Sequence, residues 1–358
     1  MRTLPAIAPA RIRQLHAGAH RYYPQLDGLR GLAIIMVVVG HVAHFSFGSD
    51  GVWSTCSSAG VSLFFALSGF LITNIVTAEI ETSGRIDFVR FYLRRCLRLL
   101  PALFAFLGTI TVIKLLGLFP QDAWSSLAAS VLYVRNIFGS GDGTGHLWSL
   151  SLEEQFYFTW PILLFLIFRR RHSLTLAILI VVAVWRAGMI HLHLASELSG
   201  ALYERPWFRY DSILYGCFIS IAVWKQPAAD RPVSATILHP LLTIPLLAWS
   251  TTISTRSYLH PIALTLEALF AASVTFSVVV CSPHSALYRG LASAPLRFLG
   301  QISYSLYLWQ QPFLVVRQPP WHGLRTFPTS VCAALFLAIL SFYLVERPFL
   351  SLKSKLRS

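Results

Sequence analysis

An all-α, polytopic membrane bundle of about ten transmembrane helices, with both termini cytoplasmic, is predicted by three features of this sequence. Apolar residues make up 55% of its 358 positions and charged residues only 12%, where a soluble domain runs near a quarter charged. The apolar residues gather into runs of spanning length, roughly 17 to 25 residues. The basic residues lie between those runs rather than in one patch. The net charge of +14 therefore reads as membrane topology and not as nucleic-acid binding.

The runs follow in order. A basic cytoplasmic tail, 1–21, carries Arg2, Arg11, Arg13 and Arg21 and shows no cleavable signal segment. A membrane domain, 22–350, then holds runs at 29–47, 61–80, 97–119, 148–168, 173–193, 207–225, 237–254, 260–282, 298–317 and 329–350, and 351–358 forms a short cytoplasmic tail. With the N-terminus inside, the inner segments collect 20 of the 29 Lys and Arg residues, including Arg90, Arg94, Arg95 and Arg98, Arg169 to Arg171, and Arg347. That bias obeys the positive-inside rule. Ala123 to Phe138 is only moderately apolar and ends at Arg135-Asn136 before a glycine-rich stretch. Counting it as a span would place Arg169 to Arg171 outside, so it reads as an amphipathic or re-entrant helix on the outer face. No internal repeat is visible, which argues against inverted-repeat transporter folds. The five cysteines lack metal or redox spacing.

Arg30 and His41 mark the ends of one apolar run. Eleven helical residues advance about 16 Å and leave the two side chains roughly 20° apart. An ionisable residue inside a bilayer is a functional candidate by default. Counting about 1.5 Å per residue from the nearest interface places His41 about 18 Å from the inner side, with Glu153, Arg186 and Glu267 at similar depth. Arg209 and Asp211 count as nearer the outer surface. Arg186, Glu267, Arg209 and Asp211 suit either a charge network that fixes helix packing or a binding site. Arg209 and Asp211, two apart, do not face each other and need other partners. Glu153 is expected to orient the His41 imidazole, as a carboxylate does in base-assisted acyl transfer. Glu154 points about 100° away and is the weaker choice. Arg95 and Arg98 share a helix face and suit bidentate binding of phosphate, whereas Arg94 reads as a topology anchor near lipid headgroups.

Seven segments in order, Leu26–Ala33 with His41, Gly60–Thr73, Arg95–Pro101, His146–Tyr157, Phe208–Gly216, Ile302–Trp309 and Glu346-Arg347-Pro348, resemble the acyltransferase 3 family of integral membrane acyltransferases. The likeness runs from about residue 22 to 350. It implies ten helices and transfer of an acyl group, usually acetyl, from cytoplasmic acyl-CoA to an acceptor hydroxyl, with no metal. Family acceptors are mostly surface or exported glycans, sometimes lipids or antibiotics such as macrolides. The family's roles fall on Arg30 and His41 as the acyl-donor and catalytic pair, on Arg95 and Arg98 as a second arginine pair, and on Glu153. Ser62 stands where many members carry an acid, and Gln310-Gln311 replaces a common His-Trp. The chain also ends after its tenth run, without the extracytoplasmic esterase-like domain of some relatives.

The expected mechanism binds acyl-CoA phosphates at Arg95, Arg98 and Arg30 near the inner face and brings the thioester to His41. His41 then either removes the acceptor's proton or is itself acylated; the sequence leaves both open. His146, Trp148, Arg186, Arg209, Asp211, Tyr304 and Tyr307 are the expected acceptor-side residues. Expected partners are acyl-CoA, membrane lipids and a glycan or other hydroxyl acceptor in a bacterial inner membrane, with no nucleic acid and with a homodimer left open. A transporter whose buried charges relay ions and a non-catalytic scaffold are the rival classes.

Overall fold

The computed structural model describes residues 23–48, 51–118, 123–139, 143–191, 204–224, 244–252, 260–316, 321–324 and 326–355, among which no strand occurs. The helices are α1 (Pro24–Phe47), α2 (Val52–Ser83), α3 (Phe88–Leu115), α4 (Trp124–Val131), α5 (Leu147–Ile167), α6 (Arg171–His191), α7 (Pro206–Val223), α8 (244–252), α9 (His260–Val280), α10 (Ala286–Leu291), α11 (Ala294–Leu314), α12 (Thr329–Ser341) and α13 (Arg347–Lys355). A π-helical stretch, Phe342–Glu346, joins α12 to α13. Among the described residues, five helices are long and apolar enough to cross a membrane: α1, α2, α3, α9 from Ile262, and the α12–α13 unit as far as Leu352. The runs read at 148–168, 173–193, 207–225 and 298–317 fall on α5, α6, α7 and α11. The run at 237–254 is described only over α8, and the 1–21 tail lies outside the described residues. The last helix continues to Lys355, so most of the segment read as a C-terminal tail extends the tenth run.

Local chemistry sets the helix ends near the site. Pro24 opens α1 with its φ already helical and no N–H to satisfy. Gly48 closes α1 in the left-handed region, at φ 62°. Asp87 caps α3 by accepting a hydrogen bond from the Arg90 backbone N–H at 2.9 Å, which starts the basic cluster at a defined point.

The centre of the bundle is α1 and α2. α1 lies between α2 and α11, while α2 also packs on α7 and α9. Lipid gives helices little hydrophobic reason to associate, so small residues that let backbones approach closely take that role. Gly300 of α11 packs so tightly that a Cβ there would collide with the Asp27 carbonyl of α1. Gly69 of α2 meets the Ile213 carbonyl of α7 in the same way. This packing holds Arg30 and His41 of α1 against α2 and α11.

The segment after α3 is not a span. α4 has eight residues, about 12 Å of helix against a hydrocarbon core of about 30 Å. Non-helical backbone at that depth must be satisfied by protein, and α5 supplies the partners. Gln155 donates from Nε2 to the Tyr133 carbonyl at 2.8 Å and to Asn136 Oδ1 at 2.9 Å, while Asn136 Nδ2 donates back to Gln155 Oε1 at 3.2 Å. The Arg135 backbone N–H donates to Ser151 Oγ at 3.2 Å. Tyr133 itself sits at φ 54°, a left-handed conformation unusual for a side-chain-bearing residue. Substituting Gln155→Leu removes the amide while leaving its partners buried. It is expected to destabilise the protein by about 1–3 kcal/mol, read as a lower thermal midpoint in detergent.

Candidate active site

His41 is half-buried on the α1 face that meets α11. Its Nδ1 lies 3.2 Å from Oε1 of Gln310. A carbonyl oxygen can only accept, so this contact needs the imidazole proton on Nδ1 and leaves Nε2 with a lone pair. His146, just before α5, is within electrostatic reach of His41. His146 is buried, its ring lies 5.6 Å from Phe106 and 5.3 Å from Tyr307, and neither ring nitrogen has a well-formed hydrogen bond, with the Leu308 backbone nearest.

Glu153 does not reach His41, contrary to expectation. It accepts from Ser68 Oγ of α2 and from Tyr157 Oη at 3.1 Å. The depth count began α5 at the outer surface. The re-entrant segment instead carries the start of α5 into the protein, so that His146 lies near His41. Glu153, seven residues further, is then about 10 Å along the axis toward the basic end. Gln310 holds the imidazole in its place, and its signal in the sequence was a glutamine pair inside an apolar run.

Below His41, toward the start of α1, a cavity of about 660 Å³ opens, within the usual range for small-molecule sites. Arg30, Arg95, Arg98, Glu153, Tyr304 and Tyr307 line it, and so do Arg90 and Arg94. Arg94, read as a topology anchor, therefore faces this space. Arg30 and Arg98 are close enough to repel each other, an arrangement that a bound polyanion relieves. Arg95 is more committed. Its guanidinium grips Glu154, with Nη2 donating at 2.9 Å and Nε at 3.0 Å, and lies 3.0 Å above the centre of the Tyr157 ring. Glu154, the weaker choice in the sequence, is thus the partner of Arg95, because the 100° step between neighbouring residues turns it toward α3 and Glu153 toward α2.

Glu346 reaches the same region from the π-helical stretch. It is 2% exposed, accepts from Ser305 Oγ at 2.9 Å and attracts both Arg98 and Arg30. A π-bulge of this kind frequently marks a functional site.

Tyr304 and Tyr307 lie on this side of the cavity rather than on an outer acceptor side. Tyr304 Oη donates to the Leu99 carbonyl at 2.9 Å. Tyr307 Oη donates to the His146 carbonyl at 3.0 Å and pairs with Ser149 Oγ at 2.6 Å. His41 is not among the cavity's lining residues. Tyr307 and Ser149 form the floor, and Gln310 stands one helical turn beyond Tyr307, about 4.5 Å along the axis.

Arg186, Arg209, Asp211 and Glu267 gather elsewhere. Arg186 Nη1 binds Asp211 at 2.7 Å and also donates to Thr265; Arg209 Nη1 lies 3.6 Å from Glu267, which accepts from Ser58 Oγ. Arg209 and Asp211 thus find partners on other helices, as their spacing required. None of the four lines the cavity. Arg209 lies 5.5 Å from the centre of the Trp148 ring and 5.8 Å from that of Phe65, a residue of the cavity wall. The charge-network alternative is the one this geometry fits.

Fold and site together define a multi-pass membrane protein whose central helix carries an imidazole above a chamber lined by five arginines and four acidic residues, Asp27, Glu79, Asp87 and Glu153. The chain belongs to the acyltransferase 3 family, whose domain model, described as an acyltransferase domain, matches residues 23–347. It is similar to YrhL of Bacillus subtilis strain 168, at 31% identity over 92% of this chain and 55% of the relative. It is also similar to the peptidoglycan O-acetyltransferase OatA of Listeria monocytogenes, at 30% over 92% of this chain and 56% of that protein. The O-acetyltransferase OatA of Staphylococcus aureus aligns at 28% over 82% of this chain and 51% of its own length. The chain spans about half the length of these relatives. No solved structure matches it.

Proposed function

We propose that this protein is an O-acyltransferase of a bacterial cytoplasmic membrane that moves an acetyl group from cytoplasmic acyl-CoA to a hydroxyl of a cell-wall glycan. In this reading the chain crosses the membrane ten times with both termini inside, which the distribution of basic residues supports. The observation that carries the proposal is the pair Arg30 of α1 and Arg98 of α3, like charges facing one cavity; on α1 the next ionisable side chain after Arg30, about 16 Å along, is His41. The phosphates of CoA take the arginine end. The acyl-bearing arm extends past Tyr307 along α1 toward His41. Glycan O-acetylation is supported by the peptidoglycan named for the Bacillus and Listeria relatives.

The direct test is thiol release from acetyl-CoA by the purified full chain, with peptidoglycan fragments as acceptor and mass spectrometry of the product. Acceptor-dependent thiol release with acetylated fragments supports the proposal; solute flux without thiol release overturns it. Within that assay Arg98→Ala is expected to raise KM for acetyl-CoA about 10- to 100-fold, because a charge-assisted contact is worth about 1.5–3 kcal/mol, with kcat little changed. Arg98→Lys is expected to recover part of the loss, since it keeps the charge without the bidentate fork. An unchanged KM in Arg98→Ala removes this arginine from donor binding.

A further inference from the structure

Gln310 carries one amide group with two unequal ends. Its Oε1 contacts Nδ1 of His41, while its Nε2 is buried with no hydrogen-bond partner, and the residue as a whole is 0% exposed. Buried polar atoms are nearly always paired, so an unpaired donor beside a reactive imidazole calls for an explanation. An acceptor that arrives only with substrate supplies one. Among the described residues, no carboxylate forms a hydrogen bond or ion pair with His41. α2 meets α1 at Gly40 through Trp53 and Ser57, and Gln311 follows Gln310 on α11. The titratable groups in electrostatic reach of His41 are His44 on its own helix and His146.

We propose that Gln310 serves both partners of the transfer: Oε1 holds His41 with its proton on Nδ1, and Nε2 donates to the carbonyl oxygen of the acyl group. The inference rests on the reading of His41 as the base in acetyl transfer. In the step itself, the acceptor hydroxyl gives its proton to His41 Nε2 as its oxygen bonds to the acyl carbon. The carbonyl π-electrons move onto oxygen, and the Gln310 amide N–H donates a hydrogen bond to the resulting oxyanion. The C=O then re-forms, the C–S bond breaks with its electron pair on sulfur, and the imidazolium returns the proton to the departing thiolate. A glutamine keeps its amide donor at every working pH. The neutral amide thereby ties the chemistry's acid limb to the imidazole alone.

The test compares wild type, Gln310→Leu, Gln310→Glu and His41→Ala as full-length purified chains, by thiol release from acetyl-CoA with peptidoglycan fragments. Gln310→Leu is expected to lower kcat about 100-fold, the scale of one lost oxyanion donor, with KM for acetyl-CoA almost unchanged. Gln310→Glu keeps the acceptor for Nδ1–H and loses the donor. Its kcat is expected to fall, and the acid limb of its pH profile to move to higher pH, because a carboxylate stabilises the imidazolium. That shift is a readout a purely structural role does not produce, and it remains available if Gln310→Leu fails to fold. A wild-type kcat in Gln310→Leu, or an unmoved pH profile in Gln310→Glu, overturns the proposal. An inactive His41→Ala beside a fully active Gln310→Leu removes Gln310 alone; an active His41→Ala removes the reading of His41 on which it stands.

Discussion

Replacing His41 with alanine is expected to cut thiol release from acetyl-CoA by about 100-fold to 10⁴-fold, the range a positioned general base contributes. KM for acetyl-CoA should hold, because the proposed phosphate site lies at the far end of α1, near Arg30 and Arg98. The substitution removes one hydrogen bond, to Gln310, from a half-buried position, so the variant should purify and melt close to wild type. Steady-state kinetics beside a thermal melt separates the two effects. A parallel fall in kcat and in folded yield would assign His41 to packing. Acid quenching of wild type incubated with labelled acetyl-CoA and no acceptor distinguishes the two chemical routes. Label retained on the protein marks an acyl-imidazole, and its absence marks direct transfer.

Arg186→Leu is expected to cost about 3–5 kcal/mol of stability, the scale for breaking a buried ion pair and stranding one charge. Arg186 and Asp211 are 3% and 4% exposed and meet at 2.7 Å, so the remaining carboxylate has no water to turn to. The paired substitution Arg186→Leu with Asp211→Leu removes both charges and should be the more stable of the two variants. Thermal midpoints in one detergent check the order. A single variant that melts with wild type would show that Asp211 is satisfied by other groups, and the network would then have no claim on helix packing.

Much of the site was legible in the residues themselves. Arg30 and His41 share a face because helical geometry is periodic and local, and the structure keeps both against α2 and α11. The pairing needs of Arg209 and Asp211 followed from their spacing, and the sub-spanning character of 123–138 followed from its modest hydropathy and the placement of Arg169 to Arg171. Glu153 shows where that reasoning fails. Its depth depended on where α5 begins, and that is set by how Gln155, Asn136 and Ser151 draw the preceding segment inward. Tyr304 and Tyr307 were misplaced for a related cause, since the side of the bundle they face depends on the packing of α11 against α1. Gln310 was visible as a departure from similar sequences, but no local rule says which of two adjacent glutamines meets a histidine 269 positions away in the chain.

By itself, the sequence determined that this protein is helical and membrane-embedded, because apolar run length and charge spacing are properties of the chain read against a bilayer. It also determined which ionisable groups are carried into that bilayer. Tertiary structure alone decided who touches whom: Gln310 with His41, Glu154 with Arg95, Glu346 with the arginines of the cavity. Those choices depend on the rotation and starting depth of each helix, which are set by close approach at residues such as Gly69 and Gly300 and by contacts distant in the chain.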